Sequence, residues 1–475
     1  MTNPPSTKPA ESMPEVGHLL AVGLPTSSAT QAHQSPAAFL GVRKQFIFSA
    51  LAGLGNLAGS QVLRLAGNLI LTRLLFPEVF GLMALVNVFL MGIALLSDLG
   101  IGASIVQRAA APDVSFLRTA WTLQTLRAVL LWFATTALAW PLAHFYNEPK
   151  LLLILPVVGI TQIISGFEST AVHLCVRNLR QGLTEMLDLA TAFVGTASAI
   201  LIAWQFQSVW ALVISGMISA TFRTTITYFL PGQIQHRFAW DRAHVRELVH
   251  FGKWLLLASA FTFLASEGDR IILGKFLTLT QLGIYTVAFF FAQAVTMVTR
   301  GISQRVLFPV LSRLKGESVA VQSAEFRRYY RLILGCSLLP IGVFLLAGPF
   351  IIELLYDDRY LSAGPLLQIL ALGAAGATLR ALIGPVLLSR GNSYGRMLIC
   401  AIEAFTIIVT MSIGGAIWGL YGFTGGFVVA QYLAWIPGIV YLRKYGVWSP
   451  KTDLLYLTLT TLLAVGGFLL WPHRF

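Results

Sequence analysis

Arg64 is a charged residue in an apolar run. It lies nine residues before Arg73, about 14 Å at helical rise. Gln61 and Asn68 stand three before and four after it, so all three share one helical face, while Leu63, Leu65 and Leu69 occupy others. An ionisable side chain at mid-membrane costs about 2.5–3.5 kcal/mol on insertion scales. Such a stripe must face the protein interior or a hydrated cavity, or else Arg64 is buried against a carboxylate such as Asp98. A guanidinium in a cavity offers a planar fork of donors that matches a phosphate.

A second charged group, S-E-G-D-R, occupies residues 266–270. Glu267 and Arg270 are three apart and pair on one face, with Asp269 pointing elsewhere. Arg127 completes a candidate set of cavity cations. The candidates for substrate contact are therefore Arg64, Arg270, Arg127, Gln61 and Asn68. Asp98, Glu267 and Asp269 are candidate ion- or proton-linked carboxylates, unless each simply neutralises an arginine. Glu168, Asp188, Arg223, Arg380 and Glu403 are the other charges inside apolar stretches. Arg223 and Arg380 lie about 12 Å from a span end, so they read as anchors whose stems reach the interface. No G-x-x-x-x-G-K-[ST] loop occurs, and His173, His236, His244 and His250 have no partners at ligand spacing. Cys175, Cys336 and Cys400 are far apart and read as packing residues. No metal, cofactor or nucleic-acid partner is expected.

These residues need elements to hold them. The chain has 475 residues, of which 56% are hydrophobic and 11% charged, against roughly 25% charged in soluble domains. The solvent for most of it must be lipid. Thirteen apolar stretches are long enough to cross hydrocarbon as helices: 46–73, 79–105, 119–144, 151–176, 183–205, 208–230, 253–274, 282–308, 330–355, 362–388, 396–417, 421–442 and 454–471. Residues 1–44, rich in Pro, Ser, Thr, Ala and Gln, read as a disordered cytoplasmic tail. With that tail inside, the opposite face receives only Arg73, Lys150, Lys275, Arg359 and Arg474, against 23 on the cytoplasmic side and five within the spans, of the 33 Lys and Arg residues. The positive-inside rule then places the N-terminus in the cytoplasm. Residues 231–252 read as a cytoplasmic linker whose Trp240 and mixed charges suit an amphipathic helix on anionic lipid. Gly–Pro pairs at 348–349, 364–365 and 384–385 serve either as hinges or as packing points.

The residues also repeat. L-I-L-T-R-L-L-F-P-E-V-F-G at 69–81 lies over I-I-L-G-K-F-L-T-L-T-Q-L-G at 271–283, with Arg73 on Lys275, Leu75 on Leu277 and Gly81 on Gly283. Two homologous halves are expected: a bundle over 45–230 and another over 253–443, with an extra helix in 444–475.

The first motif, followed by D-L-G-I-G-A-S-I-V-Q-R at 98–108, resembles the start of bacterial polysaccharide-unit flippases. G-D-R-I-I-L-G-K-F-L-T-L-T-Q-L-G-I-Y at 268–285 resembles the start of their second half. These flippases belong to the multidrug/oligosaccharidyl-lipid/polysaccharide exporter superfamily. The resemblance implies an all-α membrane protein of two six-helix bundles around a central cavity. It further implies translocation of an undecaprenyl-pyrophosphate-linked oligosaccharide between leaflets of the bacterial inner membrane, beside a polysaccharide polymerase and export machinery, with Arg64 and Arg270 in a cationic cavity. Two other readings remain at this stage. A drug antiporter would favour an acidic cavity, and a membrane polymerase would present catalytic residues on a sizeable outer loop, which this chain lacks.

Overall fold

The structure, a computed structural model, describes residues 59–97, 100–108, 112–178, 180–232, 235–314 and 318–472. The expected tail at 1–44 and Asp98 lie outside the described residues. Every described element is helical, as lipid demands of a chain whose backbone groups must find partners internally. In chain order these are α1 (59–74), α2 (Pro77–Leu96), α3 (Ile101–Gln107), α4 (Val114–Tyr146), α5 (Leu151–Gly166), α6 (Ala171–Arg177), α7 (Gln181–Phe206) and α8 (Trp210–Thr227). There follow α9 (Arg242–Phe276), α10 (Leu279–Ile302), α11 (Phe308–Arg313), α12 (Val319–Leu355), α13 (Ala363–Ala381), α14 (Ile383–Ser389), α15 (Ser393–Lys444) and α16 (Pro450–Leu470).

Within the described residues, the expected apolar stretches fall mainly on helix, with 151–176 broken at 167–170. Among the described residues eight helices are individually long and apolar enough to cross a membrane, and α5 with α6 makes a ninth if that pair, bent by 60°, is one span. The 52-residue α15 would be about 78 Å long if straight, far more than one crossing needs. It is instead a hairpin: Trp418 and Gly419 have non-helical backbone, with Gly419 at φ 55°. Its two arms run against each other so closely that a Cβ on Gly414 would strike the Gly422 carbonyl, and one on Gly422 the Gly414 carbonyl.

Two expectations at the membrane boundary change. Residues 235–241 are not helical, and α9 starts at Arg242 on the side-chain cap of Asp241 and runs unbroken to Phe276. The basic segment 242–252 thus forms the first turns of the long helix α9 rather than a separate surface helix. The Gly–Pro pairs at 348–349 and 364–365 face each other: a Cβ on Gly364 would collide with Pro349. They serve as a packing point between α12 and α13.

The two copies of the repeated motif touch each other. α2 and α10 cross so that a Cβ on Gly81 would strike the Leu279 carbonyl and one on Gly283 the Pro77 carbonyl. Pro77 and Leu279 are equivalent positions of the repeat. So are Glu78 and Thr280, and the Thr280 hydroxyl donates to Glu78 Oε1 at 2.7 Å. Reciprocal clasps flank this crossing. At the end of α12, Tyr356 donates to Asn68 Oδ1 at 2.6 Å. Arg359 donates to the carbonyls of Thr72 and Arg73 at 3.2 Å, which caps the end of α1. At the end of α4, Tyr146 donates to the Ile271 carbonyl at 3.3 Å, and Lys275 of α9 donates to the Phe145 carbonyl. Each half therefore holds the other at the same end.

Candidate functional site

The Gln61–Arg64–Asn68 stripe faces the second half along its whole length. Gln61 reaches Met297 Sδ of α10 at 3.5 Å, the Arg64 guanidinium lies over the Phe290 ring of α10 at 5.8 Å, and Asn68 accepts from Tyr356. Among the described residues Arg64 has no carboxylate partner, and its side chain is exposed. The helix is otherwise pinned by Gly67, against which Thr196 of α7 packs.

Glu267 and Arg270 pair with each other, as their spacing predicts. Arg270 also lies over Phe289 at 5.3 Å, so Arg64 and Arg270 stack on consecutive rings of α10. Consecutive residues point about 100° apart on a helix, so the two cations stand on different faces of α10. Asp269 does point elsewhere: it is buried and accepts from the Tyr285 hydroxyl at 3.1 Å. Arg127 belongs to a third place. It donates to Ser97 Oγ at 3.1 Å and to the Ala94 carbonyl at 2.6 Å, closing the end of α2. It also lines a first-half cavity of about 350 Å³ with Gln124, Gln162, Glu168 and His173. The expected set is thus spread over the junction of the halves and the interior of each.

Two arginines read from sequence as interface anchors are ion-paired instead. Arg223 holds Glu168 at 3.1 Å and also Asp188. Arg380, 4% exposed, pairs with Glu403 and donates to Gln431 at 3.2 Å. Carboxylates on neighbouring helices make this arrangement cheaper than stretching each side chain separately to the interface. His236 is likewise engaged. Thr170 N–H donates to its Nε2 at 3.3 Å, and its ring packs against Trp121 and Tyr228, which straps the 235–241 segment onto the first half.

Sequence reasoning missed the residues that converge most closely. Arg300, Arg380 and Arg396 line one cavity of about 360 Å³ with Gln304 and Gly384. It lies at the end of α10 opposite the crossing with α2. A second cavity of about 200 Å³ also includes Arg300, along with Glu267, Gln293, Glu403 and Gln431. The signal was present, since Arg300 and Arg396 are the cations at two span ends, but positive-inside counting assigns all such cations one topological role.

The fold is that of a known class of membrane transport proteins. The inward-facing conformation of a multidrug resistance MATE family transporter of the MOP superfamily superposes with a TM-score of 0.65, covering 87% of this chain and 99% of that one at 13% identity. The lipid II flippase MurJ in an inward closed conformation superposes with a TM-score of 0.56 over 90% of this chain and 97% of that one, at 12% identity. Residues 70–365 match the polysaccharide biosynthesis protein family, and the chain belongs to it. Among curated relatives, the teichuronic acid biosynthesis protein TuaB of Bacillus subtilis is 22% identical over 68% of each chain.

Proposed function

We propose that this protein is a flippase. It moves undecaprenyl-pyrophosphate-linked oligosaccharide repeat units from the cytoplasmic to the periplasmic leaflet of the bacterial inner membrane, for surface polysaccharide synthesis. Its N-terminus is cytoplasmic, and it works beside a polymerase and export machinery that consume the product. Family membership points to the polysaccharide. The observation that carries the anionic substrate is Arg64: a guanidinium about 14 Å inside an apolar helix, turned toward the second half, with no carboxylate opposite it among the described residues. A large polar head cannot cross hydrocarbon unaided, and a guanidinium at the junction of two halves meets its pyrophosphate with charge-assisted hydrogen bonds. Asn68 and Gln61 extend that polar face toward each membrane surface, while Arg270, paired with Glu267 on another face of α10, leaves Arg64 as the unpaired cation there among the described residues.

Cation antiport is the weaker reading, because the candidate carboxylates among the described residues are occupied. Glu267 is bound to Arg270, and Asp269 to Tyr285.

The test is leaflet-resolved transport of a labelled lipid-linked oligosaccharide in proteoliposomes. Arg64→Ala is expected to abolish transport, and Arg64→Lys to leave only a residue of it, with expression and folding intact. Unchanged transport in both variants would remove Arg64 from the substrate path.

A further inference from the structure

We propose that the cavity between the inner end of α10, the α13–α14 junction and the start of α15 is a binding site for a phosphate-ester anion of charge near minus two. Arg300, Arg380 and Arg396 all line it, and the carboxylate nearest them, Glu403, is paired with Arg380. Three guanidiniums against one carboxylate leave two positive charges, which matches a pyrophosphate diester or a phosphate monoester.

Burial and packing single the place out further. Arg380 is 4% exposed, and its Nε is buried with no hydrogen-bond partner among the described residues, although its other nitrogens reach Glu403 and Gln431. Buried donors are rarely left unmade, and an acceptor in the cavity would satisfy this one. Gly384 matters in the same place: a Cβ there would collide with the Arg396 guanidinium. A larger residue there would push the Arg396 guanidinium out of its present position beside Gly384. Arg300 is exposed, has no ion-pair partner among the described residues, and lines both this cavity and the neighbouring one with Glu267 and Glu403. Guanidinium forks arranged around one space favour bidentate phosphate oxygens.

The site is separate from Arg64. Arg64 stacks on Phe290, and Arg300 lies ten residues further along α10, about 15 Å nearer the inner end. A phosphate held at Arg300 and Arg396 is therefore captured before it reaches the mid-membrane guanidinium. That the anion is lipid-borne rests on the flippase reading; the anion site does not.

The experiment measures binding of two probes near charge minus two to the full-length protein in nanodiscs: inorganic phosphate and farnesyl phosphate. Arg300→Gln, Arg396→Gln and Gly384→Ala are compared with wild type, and Arg328→Gln on the exposed face of α12 is the control. Gly384→Ala displaces Arg396 without changing any charge, so it separates geometry from net charge. Each of the three is expected to weaken binding by about tenfold, the value of one charge-assisted hydrogen bond, with the control unchanged. Loss for the farnesyl ester alone supports a site reading a lipid-borne phosphate, and equal loss for both probes supports a site reading the phosphate group itself. Unchanged affinity for both probes in Arg300→Gln and Arg396→Gln overturns the proposal. Parallel transport assays separate the two readings. Wild-type transport with normal binding in the variants sinks the site alone, whereas lost binding in the variants with no wild-type transport sinks the flippase reading alone.

Discussion

The glycine crossing of α2 and α10 predicts a directional change in conformation. A methyl group at Gly81 or Gly283 meets a backbone carbonyl, which cannot rotate away as a side chain would. Overpacking of this kind costs about 1–3 kcal/mol per site, and it falls only on the state in which the two motif copies touch. Separating the helices also loses the Thr280–Glu78 hydrogen bond, about 1 kcal/mol. At about 2 kcal/mol, the ratio of closed to open at this face falls by roughly 30-fold. Spin labels at Phe76→Cys and Phe276→Cys would read the separation, both positions being exposed at this end of the helices. Cys175, Cys336 and Cys400 would be replaced by Ser in that background. Gly81→Ala with Gly283→Ala is expected to shift the distance distribution to longer values, while Gly268→Ala, where a Cβ meets nothing, leaves it unchanged. An unaltered distribution in the double variant would refute the crossing as a gate.

Three further outcomes follow from the same geometry. Tyr356→Phe removes one hydrogen bond and Arg359→Gln the guanidinium that caps α1, so each is expected to lengthen the same label distance by a smaller population shift, about 1 kcal/mol for the tyrosine. Glu403→Gln leaves Arg380 buried without its charge partner and should cost about 3–5 kcal/mol. Thermal unfolding would show that loss, and Arg380→Met with Glu403→Leu should recover much of it. The Asp241 carboxyl is held below the ordinary carboxylate range by the N–H groups of Ala243 and His244. Its cap on α9 is therefore fully present above the ordinary aspartate pKa and is lost as pH falls through the lowered value. Hydrogen exchange at residues 242–246 should quicken over that acid window in wild type, and Asp241→Asn should remove the pH dependence.

Much of this architecture could be read from residue order, because a lipid-facing helix must declare itself by continuous apolarity. The repeat was legible for the same kind of reason: Gly81 and Gly283 recur at one register because each must let the other helix's backbone approach. What stayed hidden was partnership across distance. Depth along a helix set Arg64 apart and made Arg223 and Arg380 read as interface anchors, yet nothing local tells which of the three has a carboxylate facing it. Glu168 from the break between α5 and α6 and Asp188 of α7 meet Arg223, and Glu403 meets Arg380 from the α15 hairpin. Such pairings depend on helix packing angles that no periodicity encodes. The separate surface helix expected within 231–252 failed differently, because its basic and aromatic residues suit a surface helix and the overhanging start of α9 equally well.

Pairing is also what divides the interior charges by role. Arg223, Arg270 and Arg380 each have a carboxylate, and a neutralised pair in a membrane interior holds helices together more than it attracts a ligand. Arg64, Arg300 and Arg396 have none among the described residues. Arg64 stacks on the middle of α10, Arg300 lies near the Ile302 end of that helix, and Arg396 shares the cavity there with Arg300. With the Leu279 end of α10 sealed by Gly81, Gly283 and the reciprocal tyrosine clasps, an anion entering at the Ile302 end would meet positive charge first and the closed crossing last. A gate that must release beyond Arg64 fits that order. Opening the crossing would turn the Gln61–Arg64–Asn68 stripe toward the far side, since Tyr356 holds Asn68 only while the two halves touch there.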